Sequence, residues 1–510
     1  MVEHPTSPRN NKDLIFLTAL LAAAVVLFEL WMATTDHDNS RDQHLGGAVA
    51  YAKGHIDLWR PMLPGFNANG SPTPLEFPLW QAMTAVLMKC FGLWSGWGNV
   101  VALAFFFSSL WVLFDLCRRL GSVRVAWWAM VFSLCQPLSI LTGGEAGGDS
   151  TAWSFAMWMI YFSYRMMNEG KWGWWLAAVI AGCLSAMTKA PFFMAAGLTT
   201  FLWLLWQHRR SGRAWAALAS VGFISVISLM AWNLHCHRVY QEAEFPTLNL
   251  DPYDSSINHW YFGTLGYRLN PHNWLRGIWH LISTVFGNMS LLFLPLLAIR
   301  LRQSIAAWFC LFSAVCATMV FTPLLWEHTQ YFLIYAPAAA WLCAIPAAEF
   351  EFAIWDRLKA SIFARASILL VTVAVMMAET FMAIHINVLF DPYRYEIAQI
   401  IKQHTKADEK ILVWGMLWGD PFVKADREGL TVLDYNFLIS DPKKLSRLKQ
   451  LGYKKMVLLN PSPFIVALTS VTGKHGEKIV DLHLHLPAAA KNWPVLLDNP
   501  QILIVQIPDQ

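Results

Sequence analysis

The chain has 510 residues, of which 56% are hydrophobic and only 14% are charged. Soluble globular domains carry about 25% charged residues, so this composition excludes an ordinary soluble protein and indicates long segments in lipid. The formal net charge of +4 is small, and the basic residues lie in short loops between apolar runs. We therefore expect membrane lipids, and no nucleic acid, as partners.

Apolar runs recur along most of the chain. A helix needs about 20 predominantly apolar residues to cross the hydrocarbon core of a bilayer. The candidate spans are 14–33, 98–117, 125–142, 150–167, 172–188, 191–207, 214–232, 279–299, 304–322, 331–348 and 366–386. The first is too long for the apolar part of a signal peptide, about 7–15 residues, and no small-residue cleavage site follows it. The sequence thus predicts a polytopic α-helical membrane protein with about eleven transmembrane helices, the first of them uncleaved.

The segment 78–93 decides the topology. It is apolar but short, and Lys89 interrupts it, so we interpret it as a surface or re-entrant helix. The short loops on one side of the membrane then carry Lys or Arg at 118–124, 165–171, 209–213, 300–302 and 357–365. The loops 143–149 and 322–330 on the other side carry neither. The positive-inside rule therefore places the N-terminus in the cytoplasm and the C-terminal tail outside.

The composition of the chain changes after residue 390. Helix-like segments at 393–405 and 443–451 alternate with strand-like segments at 411–416, 455–460 and 501–507. This alternation predicts a small α/β domain. We expect a transmembrane core over 1–390, with a first outer loop at 34–97, and a soluble extracytoplasmic α/β domain over 391–510.

The first outer loop places three carboxylates, Asp36, Asp38 and Asp42, just beyond the end of the first span. Charged groups beside the hydrocarbon core are costly unless water solvates them or a function requires them. A solvated interfacial turn is the alternative to a catalytic role. Glu29 lies inside the first span near its outer end, where we expect a neighbouring helix to satisfy it.

Two further carboxylates lie in constrained segments on the same predicted side. Glu76 stands between Pro74 and Pro78, which hold the chain extended, so it either faces a substrate or caps the helix at 78–93. Asp149 ends the glycine-rich loop 143–149 and opens the next helix. It is a candidate N-cap and a candidate substrate ligand.

Cationic and aromatic candidates open two later spans from the outside. Lys189 precedes Pro191 between two spans, where its ammonium either snorkels to the membrane surface or meets an anion. Glu327, His328 and Tyr331 begin another span, and we expect them to form a substrate-facing cluster.

These segments, in this order, resemble the membrane glycosyltransferases of the GT-C class, specifically the bacterial protein-mannosyltransferase and aminoarabinose-transferase-like superfamily (glycosyltransferase family 39 and relatives). The resemblance covers roughly residues 14–350 and rests on the order of the motifs. The motifs are Ala48-Val49-Ala50-Tyr51, Trp59-Arg60-Pro61, Leu75-Glu76-Phe77-Pro78-Leu79-Trp80, Lys89-Cys90-Phe91-Gly92, Thr188-Lys189-Ala190-Pro191 and Glu327-His328-Thr329-Gln330-Tyr331. The Asp-Glu pair that many members carry in the first loop is absent. Asp42 fits the spacing of relatives with the Glu-Phe-Pro motif, and Asp38 fits that of others.

The resemblance implies transfer of a sugar from a polyprenyl-phosphate donor to a hydroxyl of a lipid, glycan or protein, on the outer face of a bacterial cytoplasmic membrane. Asp42 or Asp38 would then be the base that accepts the hydroxyl proton in an inverting reaction. Asp149 would orient the acceptor or coordinate a divalent cation. Lys189 would stabilise the leaving phosphate, with Arg268 or His328 in support.

Two other classes of function remain open from the sequence. A transporter or flippase of a lipid-linked glycan would typically show repeated halves and broken helices near the bilayer midplane, and the sequence shows neither. A non-catalytic assembly protein would use its tail to bind partners, and the tail has no evident catalytic set.

Overall fold

The computed structural model of the protein describes residues 12–34, 42–61, 72–242, 251–286, 305–358, 374, 378, 392–414, 425, 427–432, 442–460, 481–486 and 490–508. Four of the described helices are long and apolar enough to cross a membrane, and three more are apolar but shorter. The four are Lys12–Trp31, Trp97–Leu120, Ala190–Gln207 and Gly212–Gln241; the shorter three are Val123–Cys135, Trp172–Thr188 and Ile305–Val320. The protein is thus a helical protein with several membrane-compatible helices, and the total of eleven spans stays a prediction.

The described secondary structure is as follows. The helices are α1 (Lys12–Thr34), α2 (Asp42–Lys53), α3 (Leu79–Phe91), α4 (Trp97–Leu120), α5 (Val123–Cys135), α6 (Pro137–Thr142), α7 (Asp149–Glu169), α8 (Trp172–Thr188), α9 (Ala190–Gln207), α10 (Gly212–Gln241), α11 (Ser255–Phe262), α12 (Leu265–Leu269), α13 (Pro271–Leu281), α14 (Ile305–Val320), α15 (Thr322–Glu327), α16 (Ala336–Leu358), α17 (Pro392–His404) and α18 (Pro442–Gln450). The strands are β1 (Lys410–Trp414), β2 (Gly429–Val432), β3 (Tyr453–Leu459), β4 (Val495–Asp498) and β5 (Ile502–Gln506). A π-helical turn covers Ile282–Phe286, and 3₁₀-helices cover Thr329–Ile334 and Leu482–His485.

Most predicted spans coincide with helices, but two differ. The span 125–142 is broken at Gln136, whose backbone is extended (φ −67°, ψ 130°), because the following Pro137 disfavours helical geometry in the residue before it. The span 331–348 begins as a 3₁₀-helix and becomes α-helical only from Ala336. The span 366–386 lies almost wholly outside the described residues, as does 279–299 beyond residue 286.

The chain folds into two compact units. The first comprises residues 1–35, 95–232 and 258–389, and the second comprises 36–94, 233–257 and 390–510. In the first unit α7 packs against α4, α8 and α9. A buried Ser185 Oγ donates a 3.1 Å hydrogen bond to the carbonyl of Ala152, which fixes α8 to α7 near the predicted outer ends of both helices.

The second unit contains the short predicted helix 78–93, observed as α3. With 13 residues, it is about 20 Å long, too short to cross a hydrocarbon core of about 30 Å. It packs against α2 through Tyr51, Ala82 and Ala85. The Lys89 ammonium donates a 2.8 Å hydrogen bond to the carbonyl of Gly54, just beyond the end of α2.

The second unit also contains a five-stranded mixed sheet with the strand order β2-β1-β3-β5-β4. Strand β1 is parallel to β2 and β3, whereas β5 is antiparallel to β3 and β4. Strands β1, β3 and β5 lie at the segments predicted to be strands, and α17 and α18 lie at the predicted helices. The three inner strands, β1, β3 and β5, contribute buried apolar side chains to two hydrophobic clusters. Both faces of the sheet are therefore apolar.

Candidate functional site

Lys189 stands at a break between two helices of the first unit. Its backbone is extended (φ −151°, ψ 106°), so that it ends α8 and begins α9. Pro191 occupies the first turn of α9, where the missing proline N–H costs no helical hydrogen bond. The break turns the Lys189 side chain inward, and only 7% of the residue is exposed. Of the two alternatives for Lys189, this burial does not fit a side chain that snorkels to the surface.

Asp149 is the first residue of α7 and is 2% exposed. It opens α7 as predicted, but the N-cap position itself is occupied by Gly148. The Asp149 carboxylate lies at the N-terminal end of α7, which is the positive end of the helix dipole. Ser150 Oγ donates to the carbonyls of Thr142 and Gly143 at 2.9 and 2.7 Å, and this holds the glycine-rich loop against the start of α7.

The two residues form a buried ion pair together with Tyr331. Lys189 Nζ lies 2.9 Å from Asp149 Oδ1 and 3.4 Å from the Tyr331 hydroxyl. The ammonium also lies 4.9 Å from the centroid of the Tyr331 ring. An ammonium carries a positive charge and three N–H donors, so it is a group suited to anionic partners. We call Asp149, Lys189 and Tyr331 the Lys189 cluster.

His328 borders the Lys189 cluster. Its half-buried ring lies edge-on to Tyr331, with 6.4 Å between ring centroids, and edge-on to Trp260 of α11 at 5.4 Å. The structure therefore brings together four of the predicted site residues, Asp149, Lys189, His328 and Tyr331. The backbone of Glu327 ends α15 next to them, but its side chain lies outside the described part of the chain.

Asn99, a residue that the sequence analysis did not name, supports the glycine-rich loop. Asn99 Nδ2 of α4 donates to the carbonyl of Gly144 at 3.0 Å and to Glu29 Oε2 of α1 at 3.4 Å. This confirms that a neighbouring helix satisfies Glu29. A Cβ atom on Gly144 would lie 2.4 Å from Glu29 Cγ, so glycine is required there for close approach. An asparagine inside an apolar run was the available sequence indication.

Arg268 and Glu76 have other surroundings. Arg268 Nε and Nη2 donate to the carbonyls of Phe262 and Val320 at 2.6 and 2.9 Å, so its guanidinium ties α12 to the end of α14. Glu76 is half-buried in the second unit, in the extended segment before α3. That helix has Pro78 as its N-cap residue and no side-chain cap, which does not support a capping role for Glu76.

The first-loop carboxylates are only partly described. Asp42 begins α2, but its side chain, like all of Asp38, lies outside the described residues. Within the described residues, no group of three or more His, Cys, Asp and Glu side chains is placed to hold a metal ion. A divalent cation at Asp149 therefore stays a prediction.

Comparison with solved structures gives the class of fold. ArnT from Cupriavidus metallidurans bound to undecaprenyl phosphate matches with a TM-score of 0.61 and 14% identity, over 96% of this chain and 97% of that one. The oligosaccharyltransferase AglB from Archaeoglobus fulgidus, in complex with an inhibitory peptide and a dolichol-phosphate, matches with a TM-score of 0.51 and 10% identity, over 96% and 73%. The chain has the fold of the GT-C class glycosyltransferases, and the resemblance predicted from its motifs is confirmed.

The match to a family sequence model covers a smaller part of the chain than the structural matches do. Residues 73–232 match the family model described as dolichyl-phosphate-mannose-protein mannosyltransferase. This segment contains Glu76, Asp149 and Lys189. No curated protein matches the chain in sequence.

Proposed function

We propose that the protein is a membrane glycosyltransferase that transfers a sugar from a polyprenyl-phosphate donor to a hydroxyl acceptor. The observation that carries the proposal is the buried Lys189–Asp149 pair, with 2.9 Å between Nζ and Oδ1, in a chain with a GT-C fold. A lysine held inward at a helix break, beside a carboxylate and a phenol, suits recognition of a phosphate that leaves during reaction.

The solved relatives support a lipid-linked donor. ArnT was solved with undecaprenyl phosphate and AglB with a dolichol-phosphate. Both ligands combine an isoprenoid chain with a phosphate, and such a donor lies in the bilayer within reach of a membrane-embedded enzyme. The identity of the sugar and of the acceptor is left open within this class.

In the proposed reaction the acceptor hydroxyl attacks the anomeric carbon, and the bond from that carbon to the phosphate oxygen breaks. The hydroxyl proton passes to a carboxylate base, for which Asp42 and Asp38 are the candidates. The leaving phosphate keeps the electron pair of the broken bond as an added negative charge, which Lys189 stabilises. Tyr331 and Asp149 orient the ammonium, and His328 provides a further donor beside the phosphate. The phosphate needs no proton to depart.

The topology belongs to the same proposal. The N-terminus would be cytoplasmic, and the tail beyond residue 390 would form an extracytoplasmic α/β domain on the outer face of a bacterial inner membrane. Single-cysteine variants at Asp13 and Lys491, in a chain whose native cysteines are replaced, test this placement. A membrane-impermeant maleimide should label position 491 and not position 13 in intact spheroplasts, and the reverse would exclude the topology.

The activity is tested with purified protein in nanodiscs and a labelled polyprenyl-phosphate sugar. We expect release of free polyprenyl phosphate, with slow hydrolysis when no acceptor is added. The competing function is that of a transporter or flippase, for which we expect movement of the lipid without chemical change. In sealed proteoliposomes the labelled lipid would change leaflet without any cleavage of its sugar–phosphate bond.

A further inference from the structure

The segment α12–α13 exposes an apolar strip that the described residues leave uncovered. Leu265, Leu269, Leu275 and Trp279 are each about two-thirds or more exposed, at 71%, 71%, 68% and 66%, and Ile278 is 43% exposed. Single exposed leucines are common on proteins, whereas a contiguous apolar strip marks an interaction surface.

The residues of α13 divide into three sectors around the helix axis. At 100° per residue, Trp274, Gly277 and Leu281 share the first sector, which faces the bundle. A Cβ on Gly277 would lie 2.2 Å from the Trp326 ring of α15, and the Trp274 ring lies edge-on to that of Trp326 at 5.4 Å.

The other two sectors point away from that contact. Leu275, Ile278 and Trp279 form an apolar sector. A polar sector follows on its far side and contains His272, Arg276 and His280. A helix that lies in a membrane interface typically has one flank against protein, one apolar flank among the acyl chains and one polar flank among the headgroups. In α13 the polar flank carries the cation Arg276 between two histidines.

The charge of this region indicates the kind of lipid. From residue 255 to residue 326 the sequence contains no Asp or Glu, while Arg268, Arg276 and several histidines lie in it. Arginine side chains near a bilayer attract anionic headgroups. The position of the segment also fits, because it follows α10 and precedes α14, both apolar enough to lie in the membrane.

We propose that α12–α13 is a membrane-docking element that lies in the bilayer interface and prefers anionic phospholipids. Its apolar sector inserts among the acyl chains. The polar sector, which carries Arg276, meets the phosphates of the headgroups. Because the opposite flank packs on Trp326, two residues before His328, the docked helix also sets the depth of the Lys189 cluster relative to the headgroups. This inference goes beyond the proposed reaction, since it concerns the lipid surface and not the donor.

The test uses the full chain in nanodiscs of phosphatidylcholine and phosphatidylglycerol with brominated acyl chains. The probe is a fluorescent acridone amino acid, which is excited at wavelengths longer than those that tryptophan absorbs. It replaces Leu275 in one variant and His272, on the polar sector, in a matched variant. We expect brominated chains to quench the probe at 275 at least about twofold more than the probe at 272. The quenching at 275 should increase with the phosphatidylglycerol content at low ionic strength and lose that dependence in high salt.

Equal and weak quenching at both positions would overturn the docking proposal. If the emission at 275 then differed between nanodiscs with one and with two copies of the chain, a second copy would be the partner of the strip. Quenching at 275 that did not change with the phosphatidylglycerol content would overturn the preference for anionic lipid. A catalytically inactive protein can still give the expected quenching, so failure of the proposed reaction is distinguishable from failure of the docking.

Discussion

The Lys189 ammonium and the Asp149 carboxylate meet at 2.9 Å, and the two residues are only 7% and 2% exposed. Burying two charges costs free energy that their attraction often fails to recover in full, whereas removal of one partner leaves an uncompensated charge. The pair is therefore weak evidence of stabilisation and stronger evidence of a use for the charges. The catalytic and structural contributions of the pair can be measured separately.

The first prediction concerns the leaving phosphate. Lys189→Met should lower the rate of sugar release from a labelled polyprenyl-phosphate donor by about 10²–10³-fold, the usual effect of removing one charge-stabilising donor. Lys189→Arg should lose less, because it keeps a cation. Lys171→Met is the matched control, since that ammonium pairs with Glu169 at 3.6 Å with a side chain 71% exposed. A Lys189→Met rate equal to that of the control would contradict the assignment.

The second prediction separates the fold from the chemistry. Asp149→Asn leaves Lys189 buried without its carboxylate and should destabilise the protein by about 3–5 kcal/mol. The double variant Asp149→Asn/Lys189→Met should recover much of that loss while staying inactive. Thermal unfolding of all variants in the same detergent measures the stability, and the sugar-release assay measures the activity. Additive destabilisation in the double variant would mean that the two side chains are not coupled.

The sequence predicted the helical bundle because each span is an apolar run with charged or glycine-rich flanks. It placed Asp149 and Lys189 on one side of the membrane, but it could not pair them, since the pairing depends on how α7 packs against the α8–α9 junction. The break at Gln136 was missed because the run 125–142 is predominantly apolar, and its hydropathy outweighed the signal of Pro137. The burial of Lys189 does not fit a snorkelling side chain, because its extended backbone directs the side chain inward.

The third prediction concerns the base. Asp42→Asn and Asp38→Asn are compared singly and together, with Asp13→Asn, exposed in the first turn of α1, as the control. The base variant should lower acceptor glycosylation by about 10²–10⁴-fold, the contribution typical of general base catalysis. Binding of the lipid carrier, measured with undecaprenyl phosphate by native mass spectrometry, should be retained. Full transfer by the double variant would remove both residues from the mechanism.

The fourth prediction concerns the pH dependence of the sheet. Burial raises the pKa of the Glu409 carboxyl, but hydrogen bonds from Lys455 and the Lys406 N–H outweigh it, so the pKa lies below its usual value. Lys455 Nζ approaches Glu409 Oε2 at 2.8 Å. A lowered carboxyl pKa stabilises the fold above the unfolded-state pKa, and this contribution disappears as the pH falls through the folded-state value.

Acidification should therefore loosen β1 and β3 in the native chain more than in Glu409→Gln. Hydrogen exchange of the full-length protein between neutral pH and pH near 4 measures this, as the difference between the two chains at each pH. The variant should be less stable at neutral pH and should lose less protection on acidification. Parallel losses in the two chains would show that Glu409 does not govern the acid response.

The last prediction concerns the close approach beside the Lys189 cluster. Gly144→Ala places a Cβ 2.4 Å from Glu29 Cγ and 2.9 Å from Leu103 Cδ2, so the loop or α1 must shift. We expect a loss of about 1–3 kcal/mol, as for other overpacked sites. Gly173→Ala, where a Cβ meets nothing within 4 Å, is the control and should be neutral or stabilising. Unchanged unfolding of Gly144→Ala would mean that the loop moves freely, and the fixed position of Asp149 would then lose its structural basis.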